Sequence, residues 1–271
     1  SGDNSLASTH PLDVLCVLLH CSDNLIQQEI VTKLSMCQFA VPLLLPAGDG
    51  SHCTIMLGAM RDIVKKWRPQ SLADNKGFRE ENVVNTSMPI FSYVRMGKSK
   101  LSKSKILNQV LNPAQLHNNF FIHDNMDGGN LKREISDGLV EMSWYFPCGK
   151  SDIFPEPITV TNLRGDLESH WDQFIFLTRI SSAVFIFIED ISEMEFTLLS
   201  SCPTTDTQYY FIVTPGSGKT VSIQTLKTLQ YLKSVLKFKK SNVIMHAGVV
   251  NEAAFVKRLQ STIINFINHK P

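Results

Sequence analysis

No stretch of the 271 residues holds the roughly 18–20 consecutive apolar residues that a membrane-spanning helix requires, so no membrane span is expected. The six cysteines, at positions 16, 21, 37, 53, 148 and 202, form no Cys-x-x-Cys and no Cys–His grouping at zinc-finger spacing. That excludes the common structural zinc sites. Thiols scattered through a chain of this size predict reduced, mostly buried cysteines of a cytoplasmic protein. An excess of one charge is missing too: 26 Lys plus Arg face 25 Asp plus Glu, a formal net charge of +1. This balance argues against a protein built to wrap DNA or to coat an anionic membrane. The opening SGDNSLASTH has no basic segment leading into an apolar one, so it does not read as a secretory signal. Ser1-Gly2 reads as a cloning remnant, and an excised piece of a longer protein is the expectation.

What is present is globular: 43% hydrophobic and 19% charged residues, enough for a sizeable core in one large domain or two modest ones. The first part, to about residue 85, reads as helical. In HPLDVLCVLLHCSDNLIQQEIVTKLSMCQFAVPLLLP the leucines and isoleucines recur at helical spacing until Pro42 and Pro46 stop the pattern, and Ser22 or Asp23 offers an N-cap between two helices. Residues 69–87, rich in Asn, Asp, Glu and Lys, read as an exposed linker or loop. From there strands alternate with helices. PIFSYV (89–94), GLVEMSWYF (138–146), PITVTNL (157–163), SSAVFIFIED (181–190), QYYFIVTP (208–215) and SNVIMHAG (241–248) are strands. Residues 102–111, 221–236 and 251–270 are helices. That alternation predicts an α/β domain with a mainly parallel sheet.

The first of these strands runs into Arg95-Met96-Gly97-Lys98-Ser99-Lys100-Leu101-Ser102-Lys103-Ser104 and then a helix. A phosphate-binding loop needs GxxxxGK[ST] in this setting: backbone N–H groups wrap the phosphates, the lysine neutralises them and the hydroxyl binds Mg²⁺. Gly97, Lys103 and Ser104 hold the required offsets, but Ser102 stands where the second glycine belongs. If that position needed a positive φ, the side chain would cost about 1–2 kcal/mol. Farther on, Asn162 and Gly165 occupy the two ends of what would be DxxG, with an amide in place of the metal-binding carboxylate. No threonine lies between Ser104 and Thr159, so a switch threonine has no candidate. The strand 208–215 ends in Val213-Thr214-Pro215-Gly216, without the aspartate that reads guanine. A second Gly-Lys-Thr, at 218–220, has Val213 where its first glycine should be and reads as a plain turn.

The N-terminal helical segment, MPIFSYVRMGKSKLSKSKILN, DGLVEMSWYFPCGK and TNLRGD together closely resemble the family of the very large interferon-inducible GTPases and up-regulator of cell proliferation, over about residues 10–271. The resemblance implies a P-loop GTPase-like domain at 86–271, flanked by helices and preceded by a helical segment and linker at 1–85. It further implies a cytoplasmic protein of innate-immune, NF-κB or apoptosis signalling, with Gly97, Ser102, Lys103, Ser104, Asn162 and Gly165 as a degenerate nucleotide site for GTP and Mg²⁺. The missing groups point to a pseudo-GTPase that needs no cofactor and acts as a scaffold for signalling proteins. The alternative is a large GTPase that hydrolyses GTP and dimerises through this domain. A third reading takes Lys98, Lys100, Lys103 and Lys105 as a basic loop for phosphoinositide or RNA. Phe120, Phe121 and His123, in the 112–137 insertion, are candidates either for protein contacts or for anchoring the loop to the core.

Overall fold

Runs of β-branched and aromatic residues bounded by turn residues settle as strands, and the amphipathic segments between them pack as helices on both faces. The computed structural model describes residues 9–269 apart from 50–51, 73–76, 98, 100, 113–117, 150–151, 204–205, 217–219 and 247–250. In chain order come α1 (Pro11–His20), α2 (Asn24–Met36), β1 (Val41–Pro46), β2 (Cys53–Ile55), β3 (Val64–Trp67), β4 (Arg79–Asn82), β5 (Ile90–Arg95) and α3 (Lys103–Leu111). Then follow β6 (Val140–Tyr145), β7 (Ile158–Leu163), α4 (Trp171–Ile180), β8 (Ala183–Ile188) and α5 (Glu193–Ser200). The chain closes with β9 (Gln208–Val213), α6 (Ile223–Leu236), β10 (Val243–Met245) and α7 (Glu252–Asn268).

Eight strands form one sheet in the order β10-β9-β8-β5-β7-β6-β1-β2. From β10 to β7 every pairing is parallel; β6, β1 and β2 add antiparallel strands on the far side. Successive side chains of a strand point to opposite faces, so each buried strand feeds two cores. Tyr93, Phe185 and Tyr210 lie side by side across β5, β8 and β9, their rings stacked with centroids 4.7 Å apart at each step. They belong to the core shared with α3 and α7. Val94, Ile186 and Phe211 face the other way, into the core shared with α1, α4, α5 and α6. The first strand of the parallel set, β5, thus sits in the interior and delivers its C-terminal end to the loop that enters α3.

Three expectations need correction. Residues 41–46 are not helical: VPLLLP is the fully buried strand β1. Its Pro42 falls where the β1–β6 register slips, a position at which a missing N–H does little harm. The polar stretch 69–87 includes β4, which pairs with β3 from Val64↔Asn82 to Trp67↔Arg79, with Arg68 lying over the Phe78 ring. Of the six thiols only Cys16 and Cys202 are buried, while Cys21, Cys37 and Cys148 are exposed. Six scattered cysteines carry no information on burial by themselves.

Beyond the apolar packing of Leu12, Cys16, Leu19 and Val31 in the core, a buried carboxylate ties α1 to the sheet domain. Asp13 of α1 accepts from the backbone N–H of Glu134 (2.8 Å), Ile135 (3.2 Å) and Ser136 (2.7 Å), and from the Ser136 hydroxyl (2.6 Å). Burial pushes this carboxyl up, but the Ser136 hydroxyl and the three amides together outweigh it and hold the pKa below the usual carboxylate value. A depressed folded pKa means stability that is present above the unfolded value and lost as pH falls through the folded one. Asp13→Asn should therefore lower stability by about 1.5–3 kcal/mol near neutrality. Thermal melts should show that difference shrinking once the pH drops below about 4.

Candidate functional site

The loop between β5 and α3 opens at the C-terminal edge of the parallel strands, where ligands of such sheets gather. Gly97 adopts φ +64°, the left-handed region that favours glycine, and a Cβ there would come 2.9 Å from the Glu195 carboxylate. Ser102 has φ −73°, so its side chain strains nothing, contrary to the cost foreseen if the position required glycine. It caps α3 without a side-chain hydrogen bond. Gly165, beyond the end of β7, has φ +85°, and a Cβ would lie 2.8 Å from both Asp137 and His170.

The hydroxyl and lysine of the motif are buried. Lys103 Nζ donates to the carbonyl of Tyr93 (3.3 Å) and to that of Leu163, which brings the ends of β5 and β7 under its ammonium. Burial, then the charges of Arg164, Arg95 and Arg133, hold its pKa well below the normal lysine value. Ser104 Oγ receives two donors: Arg164 Nη1 at 2.9 Å and Asn162 Nδ2 at 3.2 Å. Arg164 is itself locked. Its Nε donates to Glu141 Oε2 at 2.6 Å, with both side chains almost fully buried, and its Nη1 also reaches the carbonyl of Ile122 (2.8 Å). Antiparallel pairing of β6 with β7 sets Glu141 opposite Asn162, and Asn162 Nδ2 lies 3.4 Å from the same carboxylate.

The structure therefore joins Lys103, Ser104 and Asn162, leaves Gly97 and Gly165 as backbone turns at the two sides, and adds two residues that motif reading missed, Glu141 and Arg164. The signal for the first was a lone glutamate inside the strand VEMSWY, buried along its whole length. The residues do not fit Mg²⁺. The hydroxyl that would ligate it is saturated by a guanidinium and an amide, and the Glu141 carboxylate beside it is neutralised by the same guanidinium. At Gly97 the backbone N–H, which would face a phosphate, donates to Glu168 Oε1 at 2.9 Å. Burial, reinforced by the neighbouring Asp166 carboxylate, raises the pKa of Glu168.

No guanine-reading carboxylate follows β9: Thr214 turns its N–H and hydroxyl onto the carbonyl of Ile188, at 2.9 and 3.3 Å. The second Gly-Lys-Thr falls partly on 217–219, outside the described residues, in a connection between β9 and α6. Of the loop lysines, Lys98 and Lys100 also lie outside the described residues, and Lys105 pairs with Glu252 of α7 at 3.1 Å. Phe120 and Phe121 anchor their loop to the core. Phe121 is fully buried, its backbone is clamped in both directions by Asn108 at 2.8 Å, and the Phe120 carbonyl accepts from Ala40 N–H at 2.7 Å.

A central strand, a glycine-started loop, a lysine–serine helix start and an antiparallel strand beside the Asn-x-x-Gly strand define a P-loop GTPase-like α/β domain. More narrowly, the chain belongs to the up-regulator of cell proliferation-like family, whose domain profile matches residues 9–271. It is 46% identical to "Up-regulator of cell proliferation" of Homo sapiens over 260 residues, 95% of this chain and 28% of that protein. Against "Caspase recruitment domain-containing protein 6" of Homo sapiens the identity is 43% over 199 residues, 72% of this chain and 19% of that protein. "Interferon-induced very large GTPase 1" of Mus musculus is 35% identical over 191 residues, 69% of this chain and 8% of that protein. The chain thus spans little more than a quarter of the up-regulator relatives. No helix among the described residues is long and apolar enough to cross a membrane.

Proposed function

We propose that this domain is a pseudo-GTPase: a GTPase-like fold that no longer hydrolyses GTP and serves as an interaction scaffold in cytoplasmic signalling of innate immunity, NF-κB or cell death. It works with signalling proteins as partners, or with a second copy of itself, and without nucleotide or Mg²⁺ as cofactor. The observation that carries this reading is the Arg164 guanidinium on Ser104 Oγ, a cation built into the protein at the hydroxyl where a GTPase holds its metal. A divalent ion arriving there would meet a guanidinium already seated on the hydroxyl and a Glu141 carboxylate already taken by that guanidinium. The signalling context rests on the family, whose members include a caspase recruitment domain protein and an interferon-induced one.

The name of the second of these, a very large GTPase, supports the competing reading of an active enzyme. Titration calorimetry with GTP and ATP in Mg²⁺, together with phosphate release, separates the two. The expected result is no turnover, no Mg²⁺-dependent binding tighter than about 100 μM, roughly −5.5 kcal/mol, and no preference between the bases. Micromolar, Mg²⁺-dependent binding of GTP with rejection of ATP would overturn the proposal.

A further inference from the structure

Beyond β6 the sheet carries two further strands, and over them lies a cleft of about 540 Å³, bounded by β1, β2, residues 134–137 and the start of α4. That volume is on the scale of sites that take several side chains or one small molecule. Strand register sets Leu44 of β1 opposite Ile55 of β2 on the floor, and half-buried Trp171 and Phe176 of α4 form a wall. Ile55 is 52% exposed, on the outermost strand of that side. The rim is of one sign: Glu134, Asp137, Glu168 and Asp172 line the cleft, with no Lys or Arg among its described lining residues. The chain as a whole carries a formal +1, so this excess is local. Some of it is answered within the chain. Lys132 lies 3.5 Å from Glu134, Arg133 3.5 Å and His170 3.2 Å from Asp137, and Glu168 caps Gly97. Asp172 joins no ion pair among the described residues.

We propose that this cleft docks a basic amphipathic segment of a partner protein. Apolar side chains of the segment cover Ile55, Trp171 and Phe176, and its lysines or arginines meet Asp172 and Glu134. The inference rests on the scaffold reading and deepens it, giving it a surface and a partner chemistry. An apolar floor inside a charged rim is how grooves for amphipathic peptides are built. The sign of the rim selects the partner: a nucleic acid or an anionic lipid surface is repelled, and a cationic segment is attracted. The floor belongs to β1 and β2, so the cleft depends on the strands that extend the sheet beyond β6.

Cys53 also lines the cleft and supplies a local readout, with the exposed Cys21, Cys37 and Cys148 as controls. Burial, then the Asp172 charge, raises its thiol pKa, so labelling is run in mild alkali. The probe is a fluorescein-labelled peptide of about 14 residues with leucine and lysine on opposite helical faces, beside the same peptide with glutamate for lysine. Fluorescence anisotropy should show the lysine peptide binding at least about tenfold tighter than the glutamate peptide, and less tightly as salt rises. Asp172→Lys should weaken that binding about tenfold. Glu134→Lys, at an exposed side chain, serves as a second variant if the first fails to fold. Bound lysine peptide should also slow N-ethylmaleimide labelling of Cys53 at least about fivefold and leave the three controls unchanged. Equal binding of both peptides, binding that leaves Cys53 labelling or the folded variants unaffected, or no binding at all overturns the inference. Protection of Cys53 that grows with protein concentration in the absence of peptide assigns the cleft to a second copy of the chain and overturns the partner proposed. None of these results bears on the loss of GTP hydrolysis, which stands or falls on the nucleotide titration.

Discussion

Glu141→Leu should destabilise the domain by about 3–5 kcal/mol, the range found when one member of a buried ion pair is removed and its partner stays behind. The orphan would be Arg164, a buried guanidinium held by Ser104 and the carbonyl of Ile122 but left without its counter-charge. Asn162 loses an acceptor as well, since its Nδ2 lies 3.4 Å from Glu141. Urea denaturation measures this directly: the midpoint should fall while the slope stays constant, the mark of a change in stability without a change in the unfolding transition. A loss under about 1 kcal/mol would show that Arg164 finds another counter-charge, and the account of its locking would be wrong.

Lys103→Met should act in the opposite direction and raise stability by about 1–4 kcal/mol. The ammonium is buried, faces three arginines and is offset by two carbonyl dipoles and the charge of Glu141, whereas methionine fills similar space without a charge. The acceptors left at Tyr93 and Leu163 offset part of the gain. The sign with pH follows from the depressed pKa. Below the folded value the charged form burdens the native state, and the burden falls away as pH rises towards the unfolded value near 10.4. Melting temperatures of the two proteins should therefore differ most below the folded pKa and converge in alkali. A variant less stable than the parent at pH 7 would contradict the claim that this lysine is retained at a cost in stability.

The parallel half of the sheet was legible in the sequence because each of its strands is a short apolar run closed by turn residues, and because α3, α6 and α7 follow at helical period. The edge beyond β6 was not. VPLLLP carries two prolines and four other apolar residues within a helical context, and pairing makes it a strand: with β2 close by and with β6, about 100 positions away. β4 was hidden by its composition: REEN has no apolar face, and it forms by pairing with β3 beneath the cation-covered Phe78 ring. At the site, Gly97, Lys103, Ser104, Asn162 and Gly165 could be picked out by spacing, since a phosphate loop is a local object. Glu141 and Arg164 could not be paired that way. Their contact depends on strand register across β6 and β7, which spacing along the chain does not encode.

On the pseudo-GTPase reading, the grip of Glu141 on Arg164 also makes a metal site hard to build at this position. An aspartate at position 162, the residue that a GTPase would carry, would enter a neighbourhood where Lys103 and Arg164 are already in place. Since Asn162 and Arg164 both donate to Ser104 Oγ, at 3.2 and 2.9 Å, the new carboxylate would be taken by the guanidinium before any divalent ion arrived. Removing Arg164 first strands Glu141 in the interior, and removing Glu141 first strands Arg164. Each single step towards a GTPase-type metal site thus crosses a valley of stability or ends in an internal salt bridge. The pair works as a ratchet: surface and loops can change freely around it, whereas a divalent-ion site at Ser104 needs several simultaneous changes.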